Sequence, residues 1–245
     1  AHLPRAGFYQ CRTSFWVLFW VIIMFDRLVG LIGKDNLDKI SKVNIALIGV
    51  GGVGGFTLEA LARSGIKNIT IFDGDVIAES DLNRQIIALN ENIGKSKVEV
   101  AIKRMKNINP SINITGFNAY INEENVNDLQ DFDYVIDACD DLTAKVALIK
   151  YCVKNNIKIV CALGTGKRLN PEGISITKLS KTKNDALARS LRQRLRKENI
   201  KLDIPVVYHE SIPLNNDKII SSSIFPPAVA AVSYTHLTLP TTSRV

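Results

Sequence analysis

Residues 43–73 read VNIALIGVGGVGGFTLEALARSGIKNITIFD, and the order of its parts decides the fold. VNIALI (43–48) is a short run, apolar at nearly every position, which suits a strand covered on both faces by helices. GVGGVG (49–54) follows it directly, then a helical pattern from about Gly54 to Ser64, then a second β-rich run, NITIF (68–72), ending at Asp73. Glycines between a strand and a helix allow a tight turn and a close approach of backbone to a phosphate. The helix start supplies free N–H groups and the positive end of its dipole. An acid at the end of the next strand, 19 positions after Gly54, stands where a ribose hydroxyl would be held. Strand, glycine loop, helix and acid together predict a nucleotide site.

Outward from this core the alternation continues. Helical patterns cover Lys95–Asn107 and Thr143–Asn155, and β-rich runs cover 112–117, 133–138 and 157–162. This rhythm predicts a Rossmann-like α/β fold with a mostly parallel, doubly wound sheet. After Gly164, GTGKRLNPEG reads as a loop, ISITKL as a strand, and a strongly basic helix completes a C-terminal extension.

The chain has 245 residues, enough for one full α/β domain, and carries a net charge of +7. Its ends read differently from its middle. Residues 1–23 contain no acid and finish in an apolar run too short to span a bilayer, and MFDRLVGLIG from Met24 resembles an ordinary N-terminus. SYTHLTLPTTSRV (233–245) breaks off a pattern still heading into a core at PPAVAAV. The expected organisation is therefore a non-native upstream segment (1–23), a single, C-terminally truncated adenylation domain (24–232), and a foreign tail (233–245). Without the two ends, 28 basic residues face 24 acidic ones, a net +4, so charge alone argues weakly for a polyanionic partner. Cys11, Cys139, Cys152 and Cys161 show no CxxC spacing. They suit a reducing, cytoplasmic setting, with Cys139 and Cys161 as small buried hydrophobes.

Further motifs turn the reading from hydride transfer towards ATP. DLNRQ (81–85), GKSK (94–97) and DACDD (137–141) follow Asp73 in order. Ligand sites in open α/β sheets gather beyond the carboxyl ends of strands, so Asp73, Arg84 and Asp140 can converge on one crevice. Arg84 and Lys97 would neutralise phosphate charge and Asp140 would hold magnesium, as displacement of pyrophosphate by a carboxylate requires. Each has a plainer reading: Arg84 as a loop cap, Lys97 as a solvated first-turn residue, Asp140 as the cap of the following helix. Between Lys178 and Lys201 there are nine basic residues and two acidic ones. Leu187, Leu191 and Leu195 mark the packed stripe of that segment, and Arg189, Arg192 and Arg196 line a neighbouring face. His209 reads as a surface or loop residue rather than a catalytic base.

Taken jointly, these motifs resemble the ubiquitin-activating-enzyme-like superfamily, and within it the tRNA threonylcarbamoyladenosine dehydratases, from about Phe25 to Ala231. VIDACDDLTAKVALIKYC and GTGKRLNPEGISITKLSKTKNDALARSLRQRLRK carry the resemblance to that branch. It implies an acyl-adenylate formed from ATP and a threonylcarbamoyl carboxylate on tRNA, which then cyclises and expels AMP. It also implies a homodimer in which Arg27 crosses to the partner's ATP. Arg84, Lys97 and Asp140 take the catalytic places, with Asp140 as the magnesium ligand. Gly49, Gly51, Gly52, Gly54, Asp73, Asp75 and Asn83 take the nucleotide-binding ones, and Arg189, Arg192 and Arg196 meet tRNA phosphates. A sulfur-transfer protein is a further candidate partner. The superfamily's zinc site needs two CxxC pairs that this chain lacks, so no zinc is expected. The pattern is departed from at Asp81, where an asparagine is usual. The rival readings are a sulfur-carrier-protein adenylyltransferase, a nicotinamide-dependent dehydrogenase and a non-catalytic nucleotide-binding regulator.

Overall fold

The computed structural model describes residues 24–213 except Leu169. The segments 1–23 and 233–245, and with them Cys11 and the approach through PPAVAAV, lie outside the described residues. Two helices, α1 (24–32) and α2 (Lys34–Ile40), precede a seven-stranded sheet. Along the chain follow β1 (Asn44–Ile48), α3 (Gly54–Arg63), β2 (Asn68–Phe72), α4 (Lys97–Ile108), β3 (Asn113–Phe117), β4 (Tyr134–Asp137), α5 (Leu142–Lys154), β5 (Lys158–Ala162), β6 (Ile174–Lys178), α6 (Ala186–Lys197) and β7 (Pro205–His209).

The strand order is β3-β2-β1-β4-β5-β7-β6. All neighbours are parallel except β6 and β7, which run antiparallel. The predicted parallel Rossmann-like sheet is present, and the strand expected at ISITKL is its edge. The sequence reading had no strand at Pro205–His209, yet β7 inserts between β5 and β6.

Apolar residues on both faces of the strands build two cores. Ile45, Leu47, Ile69, Ile71 and Ile136 pack with Leu58 and Leu61 of α3 and Met105 of α4 on one side. Ala46, Ile48, Val135 and Cys161 pack with Leu148 and Ile149 of α5 and Leu191 and Leu195 of α6 on the other. The helices start where side chains accept their free amides. Ser96 Oγ accepts from Glu99 N, Asp141 Oδ1 from Ala144 N and Asp185 Oδ1 from Ala188 N. Helix α3 is different, because no side chain caps its start, and the Gly55 N–H donates to Gly51 O of the glycine loop at 2.9 Å.

Candidate functional site

The strand order reverses between β1 and β4, and the crevice of such a sheet opens beyond their carboxyl ends. The glycine loop lies there. Gly49 has φ +89°, a region only glycine enters freely, and its N–H donates to Phe72 O at 2.8 Å. At Gly54 an added Cβ would stand 1.9 Å from the Gly49 carbonyl oxygen, so the loop closes on itself only without a side chain. Gly51 and Gly52 lie between them at the uncapped start of α3.

Asp73 reaches the same loop from the end of β2. Its Oδ2 accepts from Val50 N at 2.8 Å and its Oδ1 from Asp75 N at 2.9 Å. Burial raises its carboxyl above the usual range, against the pull of those two amides. Asp75 lies at the rim, where its Oδ2 accepts from Lys97 Nζ at 2.8 Å and its Oδ1 from the Tyr120 hydroxyl. Burial works against that carboxylate, but Lys97 and Tyr120 outweigh it and hold Asp75 below its usual range. The same bond pushes the exposed Tyr120 phenol up to about 12, and the charges of Asp73 and Asp140 bear on it too. Asp73 and Asp75 after β2, and Asp140 after β4, thus all bear on the Tyr120 phenol after β3.

Lys97 is not the solvated first-turn residue of the plainer reading. It is 5% exposed, and its ammonium lies between Asp75 and Asp81 Oδ2, the latter at 3.8 Å. Asp81, also buried, accepts from Ala78 N at 3.0 Å and from Gln85 Nε2 at 2.7 Å, with Arg84 Nη2 at 3.4 Å. Its charge therefore meets two cations and two N–H donors within the loop. Arg84 holds its own loop, donating to Ser80 O at 2.7 Å and to Asn83 Oδ1 at 3.1 Å, as the plainer reading expects. The cap of α5 is Asp141 rather than Asp140. Asp140 is exposed and makes no hydrogen bond or ion pair among the described residues, so its carboxylate is free to take a ligand.

Four residues at this edge were not singled out in the sequence. Gln85 Oε1 is buried beside the glycine loop with no donor among the described residues. Tyr120 lays its ring over Gly74. Lys145, fully buried, donates to Asp137 Oδ2 at 2.8 Å and to Ala162 O at 2.7 Å, tying the ends of β4 and β5 together. Burial opposes its charge, but Asp137 overcomes this and holds the ammonium above its usual range. Arg168, 4% exposed, donates to Gly164 O, Gly166 O, Asn184 O and Ser211 O and fixes the loop after β5. A signal for Lys145 existed, since it falls on the apolar stripe of α5 with Leu148 and Cys152.

Other expected residues lie elsewhere. Phe25 and Leu37 pack beside Gly65, at the amino-terminal edge of the sheet, so α1 carries the exposed Arg27 away from this chain's own crevice. On α6, Arg189 and Arg196 are exposed, whereas Arg192 Nη1 turns onto Thr182 and donates to Thr182 O at 3.2 Å and Leu179 O at 3.4 Å. His209 corrects the surface or loop reading. It is 1% exposed on β7, with its ring between Asn170 O and Ser211 and its face against Gly173. Cys161 is buried and Cys139 half-buried, its Sγ 3.0 Å from Asp137 Oδ1. Burial, then the neighbouring Asp137 charge, pushes both thiols well above their usual range, which suits packing and not nucleophilic attack.

Residues 25–171 match the model of the ThiF family. A tRNA threonylcarbamoyladenosine dehydratase of Bacillus subtilis is 36% identical over 192 residues, covering 78% of this chain and 76% of that relative. The structure of the Escherichia coli tRNA N6-threonylcarbamoyladenosine dehydratase TcdA with AMP is similar at a TM-score of 0.83 and 33% identity, covering 89% of this chain and 91% of that one. Its complex with ATP gives a TM-score of 0.82 at the same identity and coverage.

Proposed function

The chain belongs to the ThiF family and, within it, to the ATP-dependent tRNA threonylcarbamoyladenosine dehydratases, and we propose that it closes the threonylcarbamoyl group of a tRNA adenosine into a ring through an acyl-adenylate. The observation that carries this reading is the meeting of glycine loop, buried acid, two cations and a free carboxylate at the carboxyl edge of β1, β2 and β4. A nicotinamide dehydrogenase would need the loop and Asp73 but has no use for Arg84, Lys97 and Asp140.

ATP is a substrate here. Gly49, Gly51, Gly52 and Gly54 let its phosphates approach the backbone, and Asp73, already oriented by two amides, meets the ribose. Gln85 Oε1 offers an open acceptor on the same side, and Asp75 and Asn83 complete the rim. Arg84 and Lys97 face the phosphates, and Lys97 exchanges Asp75 for them as ATP enters. The free carboxylate of Asp140 fits magnesium, which binds through one or two carboxylates together with phosphate oxygens. When bound, the ion would neutralise phosphate charge. The threonyl carboxylate attacks the α-phosphorus, an oxygen–phosphorus bond forms and the bond to pyrophosphate breaks. Arg84 and Lys97 stabilise the charge that develops on the departing oxygens. The activated acyl carbon is then attacked from within the same substituent and AMP leaves, a closure favoured because both partners are already held together.

Because Arg27 lies at the far edge of its own sheet, it acts on a partner's ATP in a homodimer. Arg189 and Arg196 meet tRNA phosphates, while Arg192 supports that face by tying α6 to the 179–182 turn. The adenylation domain starts at Met24 and works in the cytoplasm without zinc. No helix among the described residues is long and apolar enough to cross a membrane.

Titration calorimetry tests the nucleotide assignment. ATP with magnesium should bind and NAD should give no measurable heat; tighter binding of NAD would return the chain to the dehydrogenases.

A further inference from the structure

The basic helix does more than present a charged outer face. Between it and the first turn of α5 lies a groove of about 650 Å³ lined by Leu142, Ser190, Gln193, Arg194, Arg196 and Lys197. Its wall holds three cations, two neutral polar side chains and no carboxylate. Arg194, Arg196 and Lys197 make no ion pair among the described residues, although carboxylates elsewhere on this surface are paired, as Glu198 is with Lys150 at 3.3 Å. Three like charges within about one helical turn repel one another, and an anion in the groove would relieve that cost.

The groove also has a direction. Arg194 Nη1 donates to Thr143 Oγ1 at 3.2 Å. Thr143 is three residues beyond Asp140 and two beyond Asp141, the cap of α5. Helix α6 starts at the carboxyl edge, where Asp185 accepts from Gly164 N, and ends beside Lys150, which pairs with Glu198. The groove therefore starts near the turn that carries Asp140 and leads away from it along residues 194–197.

We infer that this groove is a phosphodiester track, in which Arg194 and Lys197, with Arg196, hold consecutive phosphates of an RNA strand next to the nucleotide crevice. This rests on the dehydratase reading and adds to it the path by which the polynucleotide reaches the site. An RNA backbone fits better than an acidic peptide. Successive phosphates present charge at regular intervals along one line, and guanidinium groups pair with them in a bidentate fashion. Ser190 and Gln193 can donate to phosphate oxygens between the cations. Such contacts position a strand without reading its bases.

The test reverses the groove charges in the full chain, Arg194→Glu with Lys197→Glu. The control, Lys103→Glu with Lys106→Glu, makes the same charge change on α4, where both side chains are exposed. Binding of tRNA is followed by fluorescence anisotropy across a salt series, with ATP binding measured alongside. The groove variant should bind tRNA at least about tenfold more weakly and lose about 1.4 to 1.8 from the slope of log affinity against log salt, for two lost phosphate contacts. The control should lose much less, and both should bind ATP as the unmodified chain does. If the groove variant and the control weaken binding equally, or neither weakens it, the track is overturned while the dehydratase reading stands. If the groove variant loses affinity for polyglutamate but not for tRNA, the groove takes an acidic protein and the inference is likewise overturned. If the unmodified chain fails to bind tRNA, the dehydratase reading falls with it.

Discussion

Replacing Asp140 with alanine is expected to slow pyrophosphate release by about a hundredfold or more, while the melting temperature stays within about 2 °C of the unmodified protein. The two halves of this expectation have separate grounds. Asp140 is exposed and has no hydrogen bond or ion pair among the described residues, so the fold loses nothing when it is shortened. In the proposed reaction it would hold the magnesium that neutralises charge on the phosphates, and removing one group that meets developing charge costs about 3 kcal/mol of transition-state stabilisation. Its neighbour gives the contrast. Asp141 caps α5 through Ala144 N, and Asp141→Ala should lower stability by about 1 kcal/mol instead. Pyrophosphate release near the unmodified rate from Asp140→Ala would remove this residue from the site.

Lys145→Met should produce the largest loss of stability. The ammonium and the Asp137 carboxylate are both wholly buried, 2.8 Å apart. Without the lysine, Asp137 keeps the N–H and thiol of Cys139, at 3.2 and 3.0 Å, and the buried Cys161 thiol beside it, none of which carries a positive charge. A buried charge left without its counter-charge costs about 3–5 kcal/mol, which in a domain of this size lowers the melting temperature by about 10 °C. Adding Asp137→Asn to Lys145→Met should restore much of the loss, since no charge then remains to be buried. A single variant that melts within about 2 °C of the unmodified chain would show that the pair carries no such weight. Because Asp137 also anchors the turn leading to Asp140, the single variant should bind ATP more weakly where it still folds.

The sequence disclosed the first half of the molecule better than the second, for a physical reason. In residues 43–73 strand, glycine loop, helix and acid are contiguous, so local pattern and tertiary site coincide. Asp73, Lys97 and Asp140 lie at strand ends or helix starts, and a parallel sheet brings all such points to one edge. Beyond Gly164 the determinants are not local. The run at 205–209 holds only three apolar residues, Val206, Val207 and Tyr208, too few to mark a strand by themselves, and nothing in them says that they enter between β5 and β6. His209 looks exposed because a lone histidine ends the run; it is buried because Gly173, far from it in sequence, leaves room for the ring. The leucine stripe of α6 gave its packed side, with Leu191 and Leu195 fully buried. It could not show that Arg192 bends onto the carbonyls of residues 179 and 182, since that turn approaches only in the folded chain. Lys145 is the converse, a charge on an apolar stripe whose partner lies on the preceding strand.

The most direct measurement incubates the protein with ATP, magnesium and tRNA carrying threonylcarbamoyladenosine, or the same tRNA lacking the group. AMP is quantified, and the tRNA nucleosides are then analysed by mass spectrometry. Release of AMP only with the modified tRNA, matched mole for mole by a nucleoside lighter by one water, is the predicted result. AMP release that does not depend on the modification, or no change in the nucleoside while ATP remains bound, would contradict the assignment.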